Sequence, residues 1–311
     1  MPDWMRWQIE WIVQLQALQP PWAIPFWRLM SFLGEEQAFL LILPALLWGY
    51  RKREALYTAS GLLLGSYLTF VLKDLFATPR PFHVAPDQVR VLLPGGEALG
   101  YGLPSGHALN AAALWGTLAG MIGRPSFTLS AIALVFLIGF SRIVLGVHFV
   151  HDVLAGWGIG AMVAFLMARQ APLWIPRLTA SRRRSLLLAT GIVLLLFLIH
   201  GTRETAVPLG AWMGMAWGAI GESWRNGFDP GGPAAQRGLR LAFGLLTLGA
   251  VYGGLTLAFS LLPPSLSGEP ALRLLRYAGI GLWVTWGAPV AFLRLGLARN
   301  QRTMQGLPTD P

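Results

Sequence analysis

Long apolar runs, broken by short polar or basic stretches, follow one another along this chain, and none alternates with the two-residue period of a strand. They lie at about Glu36 to Tyr50, Ala55 to Phe76, Ser105 to Ile122, Phe127 to Val147 and Phe149 to Met167. Four more follow at about Leu186 to His200, Val207 to Gly221, Leu241 to Leu262 and Tyr277 to Leu295. Several reach the roughly 18 to 20 residues a helix needs to cross a bilayer, and the pattern of a membrane barrel does not recur. The pattern predicts an all-α, polytopic integral membrane helix bundle. Small residues repeat at helical spacing at Gly61 and Gly65, at Gly156 and Gly160, and at Gly210, Gly214 and Gly218. Such faces let helix backbones approach closely.

The N-terminus has another pattern. Trp4, Met5, Trp7, Trp11, Ile12, Leu15 and Leu18 interleave with Arg6, Gln8, Glu10, Gln14 and Gln16, which suits a helix lying in the headgroup layer. A signal peptide's charged start, continuous apolar centre and small-residue cleavage site are missing, so the segment is expected to remain. Pro20, Pro21 and Pro25 then break the chain, and interfacial and re-entrant placements of residues 22–34 both stay open. Residues 77–103, rich in Pro and Gly, read as an ordered loop or short surface helices. The expected organisation is an amphipathic interfacial segment (1–34), a transmembrane core (35–168), a basic cytoplasmic linker (169–185), and accessory transmembrane helices with a polar tail (186–311).

Composition agrees with the pattern. Of 311 residues, 54% are hydrophobic and 12% charged, against about 25% charged in globular proteins. Cysteine is absent, so disulfides and thiolate metal sites are excluded. The net charge of +10 does not form a nucleic-acid face, because the arginines sit in short loops between apolar runs. If the spans alternate, Arg51 to Arg53, Arg124, Arg169 to Arg184, Arg225, Arg237, Arg240 and Arg294 to Arg302 fall on one side. By the positive-inside rule that side is the cytoplasm, and the protein is expected to be a multi-pass cell-membrane protein.

Candidate chemistry gathers where two apolar runs meet. In Ser141 to Asp152, His148 and Asp152 are four residues apart, so on a helix they share a face and the carboxylate holds the imidazole's far nitrogen. The near nitrogen is then free to attack phosphorus, and Asp152 stabilises the resulting cation. Arg142 adds a planar fork of donors matched to phosphate oxygens. Pro104-Ser105-Gly106-His107 opens another apolar run, with the Ser105 and Gly106 amides at a helix start. Lys73 and Arg80 close a third.

Lys73, six residues, Arg80-Pro81; Pro104-Ser105-Gly106-His107; and Ser141-Arg142, five residues, His148, three residues, Asp152 fill every position of a three-part pattern. They resemble the signature motifs of the type 2 phosphatidic acid phosphatase superfamily, which includes vanadium-dependent haloperoxidases and glucose-6-phosphatase-like enzymes. The resemblance covers roughly residues 35 to 168. It implies a phosphatase-like catalytic core in which His148 is the nucleophile, His107 protonates the leaving oxygen and later activates water, and Asp152 orients His148. Lys73, Arg80, Ser105, Gly106 and Arg142 would bind phosphate. No cofactor is implied, and no carboxylate pair has metal-ligand spacing, so a metal-independent hydrolase is expected.

The implied partner is a membrane lipid phosphate whose tail stays in the bilayer, at a site facing outward. Undecaprenyl diphosphate is the first choice for a bacterial source, followed by phosphatidylglycerol phosphate, phosphatidate and lipid A phosphates. A phosphotransferase passing the group to another lipid or sugar, and a non-enzymatic lipid transporter, are the competing readings. The soluble architecture of a haloperoxidase conflicts with the many spans. His151 is expected to be structural, and His83 and His200 surface or interfacial. Glu35, Glu36, Glu204 and Glu222 sit near span ends, where carboxylates are tolerated without function.

Overall fold

The computed structural model describes residues 2–93, 100–178, 181–225, 227–263 and 268–300. Part of the 77–103 loop, residues 179–180 of the basic linker, and the polar tail after Asn300 with Arg302 lie outside them. The chain forms two compact units, Met1–Leu41 with Tyr57–Gln170, and Ile42–Leu56 with Ala171–Pro311.

The first unit contains α1 (Asp3–Ala17), α2 (Ala23–Phe32), the start of α3 (Glu36–Gly49) and most of α4 (Lys52–Phe76). After α5 (Pro81–Val84) come α6 (Gly106–Ile122), α7 (Pro125–Val144) and α8 (Val150–Phe165), which continues through a π-helical turn at Leu166–Gln170. Four stretches, Lys52–Val84, Pro125–Val144, Val150–Leu173 and Ala234–Ser260, are long and apolar enough to cross a membrane, and the protein is a multi-pass membrane protein. At 14 residues, α3 is only about 21 Å long and does not cross alone. It follows α2 across a 56° bend, as a broken span or a re-entrant loop would, where the sequence left interfacial and re-entrant placements open.

The small-residue faces explain how the helices meet. A Cβ at Gly156 would strike the Ser105 carbonyl and Ala108, and one at Gly160 the Leu109 carbonyl and Ala112, so α8 lies directly on α6. Gly61 and Gly65 of α4 face Thr117, Leu109 and Asn110 of the same helix. α6 is therefore clasped on two sides, which fixes where its N-terminus points.

The two runs expected at Phe127 to Val147 and Phe149 to Met167 are separated by a turn. α7 stops at Val144, and Gly146 takes a left-handed φ of 76°. A Cβ there would run into the Arg90 carbonyl, so both conformation and space demand glycine. α8 then starts from Phe149, with Asp152 at its third position accepting the Phe149 amide at 3.0 Å.

α1 buries Met5, Ile9 and Ile12 against Phe82, Val89, Leu145 and Phe149, while Trp4, Trp7 and Trp11 stay exposed. Gln8 and Gln16 sit on its buried face. Gln16 Nε2 donates to the Arg90 and Val144 carbonyls at 2.8 and 3.1 Å. The amphipathic pattern thus has a packed side whose polar members bond the backbone near the Gly146 turn.

The second unit holds α9 (Ala171–Leu178), α10 (Arg182–Ile199), α11 (Ala206–Arg225), α12 (Ala234–Ser260), α13 (Pro270–Leu282) and α14 (Ala288–Arg294). The run expected at Tyr277 to Leu295 is not one helix: it begins at Pro270 and passes through a π-helical stretch at Trp283–Gly287. Gly210, Gly214 and Gly218 meet Leu274, Ala278 and Thr285, both series ascending, so α11 and α13 run parallel in close contact. Glu222, expected to be an idle span-end carboxylate, is buried, pairs with Lys52 and accepts the Phe228 amide. Buried Arg240 donates to the Asp229 and Gly231 carbonyls at 3.1 and 2.5 Å.

Candidate active site

The starts of α6 and α8 and the ends of α4 and α7 meet at one end of the first unit. Between them lies a cavity of about 340 Å³ lined by Lys73, Arg80, Gly106, His107, Arg142 and His148, with Glu35, Ser66, Thr69 and Asn110 on its other walls. A larger, apolar groove of about 880 Å³ runs along the far halves of α6, α7 and α8, past Gly116, Phe136 and Trp157, and contains none of the motif residues. The chemistry belongs to the smaller cavity.

His148 is buried in the turn before α8. Its Nδ1 lies 3.2 Å from Asp152 Oδ2. Its Nε2 accepts from Arg80 Nη1 at 3.3 Å. That division of partners is the expected one, but its origin differs from the expected i,i+4 pair on a helix. His148 lies outside α8, and Asp152 reaches it as the capping carboxylate of the helix's first turn. Burial, followed by the cations Arg80, Lys73 and Arg142, pushes the His148 pKa well below the ordinary histidine range. The imidazole is therefore neutral, with Nε2 available as a lone pair.

The three motifs are tied to one another through the backbone. Arg80 Nε donates to the Gly100 carbonyl at 2.9 Å and Nη1 to the Val147 carbonyl at 3.0 Å. Lys73 Nζ donates to the Tyr101 carbonyl at 2.9 Å. Thr78, between Lys73 and Arg80, accepts the Gly102 amide on its carbonyl at 2.8 Å and the Leu103 amide on its hydroxyl at 2.9 Å. Arg142 Nη1 donates to Ser31 Oγ at the end of α2.

Ser105 departs from expectation. Its amide, expected to reach phosphate, donates instead to the Asp152 carbonyl at 2.9 Å and joins the second motif to the third. Its hydroxyl is buried without a partner. The neutral donors left at this helix start begin with Gly106, which does line the cavity.

His151, expected to be merely structural, has its Nε2 3.2 Å from the other carboxylate oxygen of Asp152. Its Nδ1 donates to Gln8 Oε1 at 3.1 Å, and the same oxygen accepts the Val150 amide at 2.9 Å. Asp152 therefore sits between two imidazoles, and α1 braces the outer one. Gln8, Ser31, Thr78 and Glu35 are site neighbours that no motif announces. Only the interruption of apolar faces by Gln8, Gln16 and Ser31 hinted at buried polar work.

A predominantly helical membrane protein that gathers three cations, two histidines and a carboxylate at one end of its first unit has the equipment to hold a phosphate and attack it. Residues 54–176 match the PAP2 superfamily and residues 206–300 match the PAP2 superfamily phosphatase transmembrane extension. The two matches together cover well over half of the chain, which belongs to the PAP2 superfamily.

Glucose-6-phosphatase 3 of Bos taurus is 30% identical over 52% of this chain and 53% of its own length. Phosphatidylglycerophosphatase B of Bacillus subtilis is 29% identical over 48% of this chain and 76% of its own. Decaprenylphosphoryl-5-phosphoribose phosphatase of Mycobacterium tuberculosis is 29% identical over 50% of this chain and 84% of its own. The chain thus spans about half the length of the glucose-6-phosphatase it matches.

Proposed function

We propose that the protein is a membrane lipid phosphatase that works through a phosphohistidine on His148. The observation that carries this reading is the disposition of the His148 ring, with Nδ1 on Asp152 and Nε2 turned to Arg80 at the wall of a cavity holding His107. Phosphate oxygens would be held by Lys73, Arg80, Arg142 and the donors beginning at Gly106. Concentrated positive charge placed before the reaction stabilises the equatorial oxygens as they gain charge. Nε2 of His148 forms the bond to phosphorus as the bridging oxygen of the ester or diphosphate departs with a proton from His107. Water, its proton taken by His107, then releases phosphate and restores the imidazole.

A substrate anchored by its tail fits a site at the ends of membrane helices, and the positive-inside distribution of arginines favours an outward-facing site. Polyprenyl diphosphate is the first substrate to offer, since a relative's name specifies a decaprenylphosphoryl compound, with phosphatidylglycerol phosphate next. The test is phosphate release by purified protein in detergent with EDTA, offering undecaprenyl diphosphate, phosphatidylglycerol phosphate, phosphatidate and lipid A in parallel. His148→Ala is expected to abolish release from the preferred lipid. Release that survives this substitution would remove the histidine mechanism, and wild-type protein inert toward all four lipids would count against the hydrolase.

A further inference from the structure

The break between α2 and α3 forms a wall of the cavity that none of the three motifs contains. Ser31, buried at the end of α2, accepts from Arg142 and fastens that wall to α7. One turn on, Gly34 lies against the His107 ring: a Cβ there would sit 2.7 Å from Ile138 Cγ2 and 3.1 Å from His107 Cδ2. Glycine is what lets the break rest on the imidazole. The next residue, Glu35, lines the cavity with its Oε1 4.0 Å from His107 Nε2. That nitrogen is buried without a hydrogen-bond partner. A buried ring nitrogen left so is costly unless an acceptor is near, and the Glu35 carboxylate is an acceptor 4.0 Å away.

We propose that Glu35 is the positioning residue of His107, aiming Nε2 at the leaving oxygen and keeping the proton there that the phosphate-binding cations would otherwise drive off. The inference rests on the phosphatase reading above. The conflict it resolves is electrostatic. The groups facing His107 are Lys73 from α4, Arg142 from α7, His148 from the α7–α8 turn, and Glu35 with Glu36 from the α2–α3 break. Arg80, on His148 Nε2, lines the same cavity, and Asp152 stands behind His148. Burial, and after it the cations that hold phosphate, oppose a proton on the acid that must supply one. Glu35 is the carboxylate beside that acid, and its negative charge counters them.

The proton balance closes without Glu35 changing state. In the first step the P–N bond to His148 forms, the P–O ester bond breaks, and the His107 proton goes to the departing oxygen. In the second the water oxygen bonds phosphorus, the P–N bond breaks, and the water's proton returns to His107. Glu35 biases His107 toward its charged form before the first step and after the second.

The experiment compares wild type, Glu35→Gln and Glu35→Asp on a short-chain alkyl phosphate and on p-nitrophenyl phosphate, with His148→Ala as the blank. An alkoxide needs the proton from His107, whereas nitrophenolate leaves without it. Glu35→Gln should lower kcat on the alkyl ester about 10- to 100-fold, part of the contribution of general acid catalysis. It should leave the nitrophenyl ester far less affected, keep KM steady and move the basic limb of the alkyl profile to lower pH. Glu35→Asp should recover part of the loss. Equal losses on both esters with an unmoved pH profile, or no loss at all, would overturn the proposal.

If wild type releases no phosphate beyond His148→Ala, the phosphatase reading fails instead. A ¹⁵N NMR titration of His107, assigned with His107→Ala, then still decides the pairing. It should move to lower pH in Glu35→Gln, and an identical titration in both proteins would refute the pairing.

Discussion

The nucleophile proposed here is held neutral at a cost that depends on pH. Burial and the surrounding cations depress the His148 pKa in the folded state, whereas the unfolded chain titrates near the ordinary value of about 6.5. Above that value neither state is protonated and His148 adds no pH dependence. As pH falls below it, the unfolded state gains a proton the folded state refuses, so stability declines. Thermal unfolding in detergent at pH 7.5 and pH 5.5 should therefore show a loss that is smaller in His148→Gln. An equal loss in both proteins would mean that the folded imidazole accepts a proton normally. Lys73, Arg80, His107, Arg142, His148 and Asp152 were legible because phosphoryl chemistry needs those residue types at fixed spacings. Their supports were not: Gln8 bonds a backbone amide 142 residues away, and a pairing at that separation leaves no local pattern.

At the scale of elements, the site is a product of helix ends. α6 and α8 contribute their first turns, α4 and α7 their last ones, and the α2–α3 break a further wall. The run of apolar residues marked these helices but not their ends, because Val147 and Phe149 are as apolar as the helices around them. The break is set by Gly146, whose φ of 76° ends α7 and leaves His148 in a turn. What the glycine spacing did expose is a close-packing face on α8, and the structure identifies its partner as α6. Gly160 packs on the Leu109 carbonyl and Ala112, in the first half of α6. Gly160→Leu should push the two helices apart, move His107 and Ser105 away from His148 and Asp152, and cut kcat at least tenfold. Overpacking of this kind typically costs about 1–3 kcal/mol, so the variant should still insert and purify with a lowered melting temperature. Wild-type kcat in a protein of unchanged melting temperature would show that the contact is not needed to align the site.

For the whole molecule, the remaining question is which side of the membrane the constellation faces, and the charge pattern offers an answer that contacts do not. Arg124 lies between the end of α6 and the start of α7, whose other ends carry His107 and Arg142, so within the first unit it falls opposite the motifs. If the spans alternate, Arg51 to Arg53 and Arg182 to Arg184 are expected on the same side as Arg124. Lys73, Arg80 and Arg142 are exceptions with a reason, since each is engaged at the cavity. The positive-inside bias acts on loop charges during insertion, so the loop arginines are the ones that count, and they predict a cytoplasmic face opposite the site. Because the chain has no cysteine, single substitutions report sidedness without background. Asp87→Cys, exposed in the loop after α5, should react with a membrane-impermeant maleimide in intact cells. Arg124→Cys, exposed between α6 and α7, should react only after permeabilisation. The reverse pattern would turn the site to the cytoplasm and restrict the substrate to lipids of the inner leaflet. Labelling of both in intact cells would mean that the α6–α7 turn does not lie across the bilayer from the site.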